Sequence, residues 1–195
     1  MILLMSIIDV TVRAEYTPNP NSLKFICSET IYPYSNSLSY LNVDEAKKIE
    51  NKLAERLFGI EGTKKVFVMN NFVTIDKEEH INWKDIHLDI KEIIKSSLND
   101  MNAWSEINKP EEPEIKEGDG DTRSRIETVL NKIRPALVAD GGNIEFVDLI
   151  DKDVKLRMVG ACGTCPSSMM TMKMGVERAL VSELPDLVDS VTQVF

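Results

Sequence analysis

Cysteine is scarce, at three in 195 residues. That excludes a small secreted scaffold stapled by disulfides and fits a reducing compartment. Histidine is scarcer still, and the only two, His80 and His87, lie in a polar helical stretch without the clustered spacing of metal ligands. Basic residues are outnumbered, 23 against 32 acidic, for a net charge of -9. A chain with that balance and no basic patch carries no footprint for nucleic acid. No apolar run approaches the roughly 20 residues of a membrane span. The opening Met1-Ile2-Leu3-Leu4-Met5-Ser6-Ile7-Ile8 is short, follows no positive region, and is neither Arg- nor Ser-rich. On these grounds a cytoplasmic setting, with no membrane partner, is the expectation.

What the chain does have is a division. The segment from Asn108 to Asp121 holds two Pro, two Gly, six acidic residues and only one large apolar side chain. It reads as an acidic flexible linker, spanning roughly 20 Å as a coil. Net charge is -4 before it, -4 within it and -1 after it, so the acidity lies away from the second part. Residues 1–107 and 122–195 are each long enough to bury a core.

The first part opens with an alternating segment, Ile8 to Tyr16, then a turn Thr17-Pro18-Asn19-Pro20-Asn21 and a second strand through Phe25. Apolar residues from Ala46 to Phe58 follow helical spacing and predict one helix over Asp44–Phe58, stopped by Gly59. Val66–Met69 and Phe72–Ile75 flank Asn70-Asn71, a hairpin pattern, and a helix runs from Trp83 to about Leu98. Four strands and two helices make an α+β sandwich with no catalytic constellation. Cys27, in an alternating strand, is a small core residue.

The second part predicts a helix from Arg123 to Ala139, closed by Asp140-Gly141-Gly142. A hairpin follows, Ile144–Ile150 and Val154–Val159 about Asp151-Lys152-Asp153, then a helix from Pro166 to Ser182 and a short third strand within Val188–Phe195. The fold class is α+β, two small α/β sandwich domains joined by the linker.

Between the hairpin and the last helix stand Cys162 and Cys165. Pro166 suits the first position of a helix, which makes Cys165 the N-cap and places its sulfur near unpaired N–H groups and the positive end of the helix dipole, where a thiolate is stabilised. Both sulfurs are expected to converge at one exposed site. Two sulfurs are half of what a tetrahedral zinc or an iron-sulfur cluster asks for. Three readings compete. The pair is buried and inert; or it is a thiol-disulfide oxidoreductase pair, which favours a βαβ setting with an aromatic residue before the first Cys, where this chain has Ala161 and a hairpin; or two chains meet about a twofold axis and pool four thiolates, enough for a [4Fe-4S] cluster or for zinc. Five of nine methionines gather beside the loop. Met169, Met172, Val176 and Leu180 share the core face of the last helix, whereas Met170 and Met174 lie elsewhere and offer an adaptable surface to a second protomer or a client.

The run Gly160-Ala161-Cys162-Gly163-Thr164-Cys165-Pro166-Ser167-Ser168, continued by Thr171–Glu177, with Arg134-Pro135 and Asp140-Gly141-Gly142 upstream, closely resembles the C-terminal domain of NifU. Thr17–Phe25 resembles the start of the Nfu N-terminal domain. The whole chain thus resembles an Nfu-type iron-sulfur cluster scaffold, with an Nfu N-terminal domain over 1–107 and a NifU-like domain over 122–195. The resemblance implies a [4Fe-4S] cluster shared between two protomers, with Cys162 and Cys165 of each as the metal ligands. It further implies a carrier, not an enzyme, whose partners are an upstream assembly machinery and apo iron-sulfur clients.

Overall fold

A computed structural model describes residues 10–34, 36–99, 120–163 and 166–194. The chain divides into two compact units, one formed mainly by residues before Glu111 and the other mainly by residues from there on. The acidic segment expected to be a linker lies almost wholly outside the described residues.

The first unit holds a five-stranded sheet in the order β1-β2-β5-β4-β3. Its strands are β1 (Val12–Tyr16), β2 (Ser22–Cys27), β3 (Leu38–Tyr40), β4 (Thr63–Met69) and β5 (Phe72–Lys77). The turn between β1 and β2 closes on itself as its composition demands. Thr17 Oγ1 donates to the carbonyls of Asn19 and Ser22, and Asn19 Oδ1 accepts from the Asn21 N–H at 3.0 Å. The β4–β5 hairpin turns at Asn70-Asn71 with Met69 opposite Phe72, and Asn70 takes the left-handed φ of 49° that asparagine tolerates.

Two sequence expectations fail here. A fifth strand, β3, is present; three residues are too short for any alternation to be visible, and it exists by pairing with β4. The helix expected over Asp44–Phe58 is two helices, α1 (Val43–Lys48) and α2 (Lys52–Phe58), so that with α3 (Trp83–Asn99) the unit has three among the described residues. The break comes from Asn51. Its side chain accepts from the Ala54 N–H at 3.0 Å as the N-cap of α2 and donates to the Tyr40 hydroxyl at 2.8 Å, while Glu50 takes φ 55° to release it from α1. Asn51 is fully buried, so both of its bonds are made away from water. Burial likewise pushes the Tyr40 phenol up, the Asn51 bond pulling part of the way back.

Apolar periodicity then builds the core. Leu23, Phe25 and Cys27 alternate along β2, Val66 and Val68 along β4, and Val73 and Ile75 along β5. They meet Leu53 and Leu57 of α2 and Ile86, Ile90 and Ile94 of α3, spaced four apart. Cys27 belongs to this core, as expected.

The second unit packs α4 (Gly120–Ala139) and α5 (Pro166–Glu183) on a three-stranded sheet, β6 (Gly142–Ile150), β7 (Asp153–Gly160) and β8 (Ser190–Gln193), in the order β6-β7-β8. The β6–β7 hairpin turns at Asp151 and Lys152, both with positive φ (48° and 63°) and with Ile150 opposite Asp153. Two successive left-handed residues match the twist of a two-residue hairpin. Gly141, φ 81°, ends α4. Strand β8 lies parallel to β7, and the carboxylate of Asp153 ties the two by accepting from Thr192 Oγ1 at 2.7 Å, while Lys155 Nζ of its own strand donates to it at 2.6 Å. The core gathers Ile126, Val129, Leu130 and Leu137 of α4, Ile144 of β6, Val154, Leu156 and Met158 of β7, and Val176 and Leu180 of α5. The architecture is α+β with two sheets, and no helix among the described residues is long and apolar enough to cross a membrane.

Candidate functional site

Strand β7 leads into the cysteine loop. After Gly160 the chain makes one 3-10 turn, Ala161–Gly163, and α5 starts at Pro166, where the missing N–H costs nothing. The turn is anchored from beneath by the Ala161 N–H donating to the Gly141 carbonyl at 3.2 Å. Gly142 stands opposite Gly160 in the hairpin, so the end of α4, the start of β6 and the cysteine turn converge on one corner of the unit.

Cys162 is buried, with 3% of its surface exposed, and counts among the second unit's core residues. This corrects the expectation that both sulfurs stand at an exposed site. The reason lies in Gly142: a Cβ there would sit 2.3 Å from Cys162 Sγ, so the thiol fills the space a side chain would take. Cys165 and the N-cap role expected of it lie outside the described residues.

Arg134 braces the same corner from α4. Its Nε and Nη2 donate to the Ile144 carbonyl, each at 3.2 Å, its Nη1 donates to Asn131 Oδ1 at 2.6 Å, and its Nη2 pairs with Glu127 Oε2 at 2.7 Å. On α5, Glu177 Oε2 accepts from the Val191 N–H at 3.2 Å and fixes the helix to β8. Val176 and Leu180 are buried, as their shared face predicts, and Met174 is 58% exposed. The side chains of Met169, Met170 and Met172 lie outside the described set. In the sequence Asp140-Gly141-Gly142 reads as a helix terminus and as part of the NifU-like pattern. The second glycine makes room for the cysteine, which a glycine more than a terminus needs could have signalled.

Neither histidine approaches a metal constellation. His87 Nδ1 is engaged by the Trp83 carbonyl at 2.9 Å within α3. Among the described residues no group of three or more His, Cys, Asp or Glu is placed to hold a metal ion. Cys27 is a reduced, buried thiol whose pKa is pushed up to about 12 by burial alone. That leaves it inert as a nucleophile or ligand at neutral pH.

The strands before the pair do form a hairpin, yet β7, α5 and the parallel β8 together make a βαβ unit, with the cysteine loop at its strand-to-helix junction. The setting expected of a redox pair is therefore present.

Two family models cover most of the chain. The NifU-like domain matches residues 126–191, and the scaffold protein Nfu/NifU N-terminal domain matches residues 12–101. The NFU1 iron-sulfur cluster scaffold homolog, mitochondrial, of Drosophila willistoni is 34% identical over 197 residues, covering 100% of this chain and 67% of the relative. Its counterpart in Drosophila erecta is 36% identical over 186 residues, covering 94% and 65%. Relatives of this kind extend beyond the chain, which spans as little as 61% of their length. Among solved structures, a NifU-like protein from Saccharomyces cerevisiae aligns with a TM-score of 0.43 and 27% identity over 46% of this chain and 78% of its own. A protein from Staphylococcus aureus aligns at 0.38 and 25% over 43% and 98%. Both likenesses are too loose to carry an argument. The names of the relatives overturn the cytoplasmic expectation, since these are mitochondrial proteins. That expectation rested on the scarcity of cysteine and on the opening residues, and neither fixes a compartment for a chain that matches only part of its relatives. The matches to both halves in order, and to a relative along the full chain, make this protein a member of the Nfu family of NifU-like iron-sulfur cluster scaffolds.

Proposed function

We propose that the chain carries a [4Fe-4S] cluster as cargo between two copies of itself, Cys162 and Cys165 of each supplying the four thiolates, and passes it to apo-proteins. The observation that carries this is a shortage. The NifU-like unit holds two cysteines and, among its described residues, no further cluster of donors. A cubane needs four protein ligands, so a second chain is the simplest source of the missing pair. Binding is then ligand exchange. Each thiol gives up its proton to solvent and its sulfur replaces a donor's sulfur on iron, with no net oxidation or reduction. Release to a client reverses the exchange, and holding the cargo by two residues per chain keeps that reversal accessible. The protein acts here as a carrier and not an enzyme. Upstream assembly proteins load it and apo iron-sulfur clients unload it, and the acidic segment between the units serves as a tether that raises the local concentration of a client held by the first unit.

The location of the pair at a βαβ junction supports a second reading, a thiol-disulfide oxidoreductase. Anaerobic addition of iron and sulfide separates the two. The carrier develops a brown cluster chromophore and then restores a cluster-dependent activity in an apo-client when mixed with it. A colourless chain that reduces a test disulfide establishes the oxidoreductase instead.

A further inference from the structure

Gly142 does more than begin β6. A Cβ at this position would stand 2.3 Å from Cys162 Sγ, 3.0 Å from Cys162 Cβ and 2.8 Å from the Val159 carbonyl oxygen, where carbon contacts normally settle near 3.5–4.0 Å. The seat that the missing side chain leaves is filled by the thiol. Cys162 belongs to the same buried cluster as Ile126, Leu130, Ile144, Met158 and Val176, where a thiol packs as a small core residue. With 3% of its surface exposed, Cys162 does not present its sulfur to a cluster that must also reach three others.

We propose that Gly142 is a positioning residue, the seat in which Cys162 is stored while no cargo is bound, and that loading begins when the Ala161–Gly163 turn rearranges and swings this thiol out. The inference rests on Cys162 being a ligand. Its consequence is protection. The stored thiol is withheld from oxidants and alkylating agents, and it becomes reactive only as often as the turn opens. The Ala161 N–H to Gly141 carbonyl bond, at 3.2 Å, ties the turn to the end of α4 and lies outside the β6–β7 ladder.

The test is iodoacetamide labelling of the full chain, reduced and free of iron, with Cys162 followed by peptide-resolved mass spectrometry. We expect labelling at least roughly 100-fold slower than in the same chain unfolded by denaturant, as for a group exposed only by local opening. Gly142→Ala fills the seat and should accelerate labelling of Cys162 at least tenfold. Val154→Ala is the control: Val154 is buried in the same core but six residues down β7 from Gly160, about 20 Å away. It loosens the unit without touching the seat and should leave Cys162 slow. Labelling of the unaltered chain within threefold of the unfolded rate overturns the proposal, and so does equal acceleration by Gly142→Ala and Val154→Ala. If circular dichroism shows Gly142→Ala unfolded, the unaltered chain alone decides. Failure of the chain to take up a cluster would strike at the ligand assignment and leave the labelling result standing, so the two failures are distinguishable.

Discussion

Replacing Arg134 by Ala should weaken the corner that carries the cysteine turn by about 2–3 kcal/mol. The magnitude follows from its contacts. Nε and Nη2 share one acceptor, the Ile144 carbonyl, at 3.2 Å each, and count together as one charge-assisted bond of about 1.5 kcal/mol. The bond to Asn131 Oδ1 is exposed and adds about 0.5 kcal/mol. The pair with Glu127 has side chains 23% and 26% exposed, so solvent screening holds it to about 0.2–1 kcal/mol. A loss of 2–3 kcal/mol is roughly 30- to 150-fold in an opening equilibrium. Native-state hydrogen exchange of the full chain, read on peptides across β6 and β7, measures it without assuming that two units unfold together. Arg134→Lys keeps the charge beside Glu127 but cannot fork onto the carbonyl, and should lose more than half of the effect. Glu127→Gln should cost less than about 1 kcal/mol. An Arg134→Ala change below about 0.5 kcal/mol refutes the brace, and a Glu127→Gln change as large as that of Arg134→Ala shows that the ion pair, not the carbonyl, carries it.

Asn51→Ala removes the cap of α2 and orphans the buried Tyr40 hydroxyl, and should cost the first unit about 2–4 kcal/mol in urea unfolding followed by tryptophan fluorescence; Trp83 lies in that unit's α3. Cys27, with its pKa pushed up from 9.0 to about 12, should resist iodoacetamide at pH 8 in the folded chain. The unfolded thiol ionises near pH 9 while the folded one does not, so its contribution to stability is complete below pH 9 and fades towards pH 12; Cys27→Ala should flatten that loss in unfolding measured across this range. The Asp153 carboxyl is held below its usual 3.8, first by the Lys155 hydrogen bond and also by Thr192. Its contribution is therefore present above pH 3.8 and lost as pH falls through the lower folded value. Asp153→Asn should narrow the acid-induced loss of β8 protection in hydrogen exchange, with an effect at neutral pH of about 1 kcal/mol, since the pair with Lys155 stays partly exposed.

Most of this fold was legible because its periodicities are local. Ile126, Val129, Leu130 and Leu137 mark one face of α4, and the alternation in β6 and β7 together with Asp151-Lys152 marks a hairpin. What escaped was set by contacts far apart in sequence. Asn51 breaks a helix because a tyrosine eleven residues earlier is in reach of its amide, and a pattern that continues to Phe58 gives no sign of this. Strand β3 exists only through its partner β4. The βαβ unit appears only when β8 is seen beside β7. At the site, the residue types and spacing singled out Cys162 and Cys165 and set Cys27, His80 and His87 aside. They did not show that Cys162 is stored in the core, because the absence of a side chain at Gly142, twenty residues earlier, is what makes the room.

Whether two chains share one cluster through Cys162 and Cys165 is decided by native mass spectrometry of the anaerobically reconstituted full chain. A dimer carrying four iron and four sulfide, as a cubane on four thiolates requires, should appear for the unaltered chain and for Cys27→Ser, and vanish for Cys162→Ser and Cys165→Ser. A cluster on a single chain, or one that survives the loss of either cysteine, contradicts such sharing.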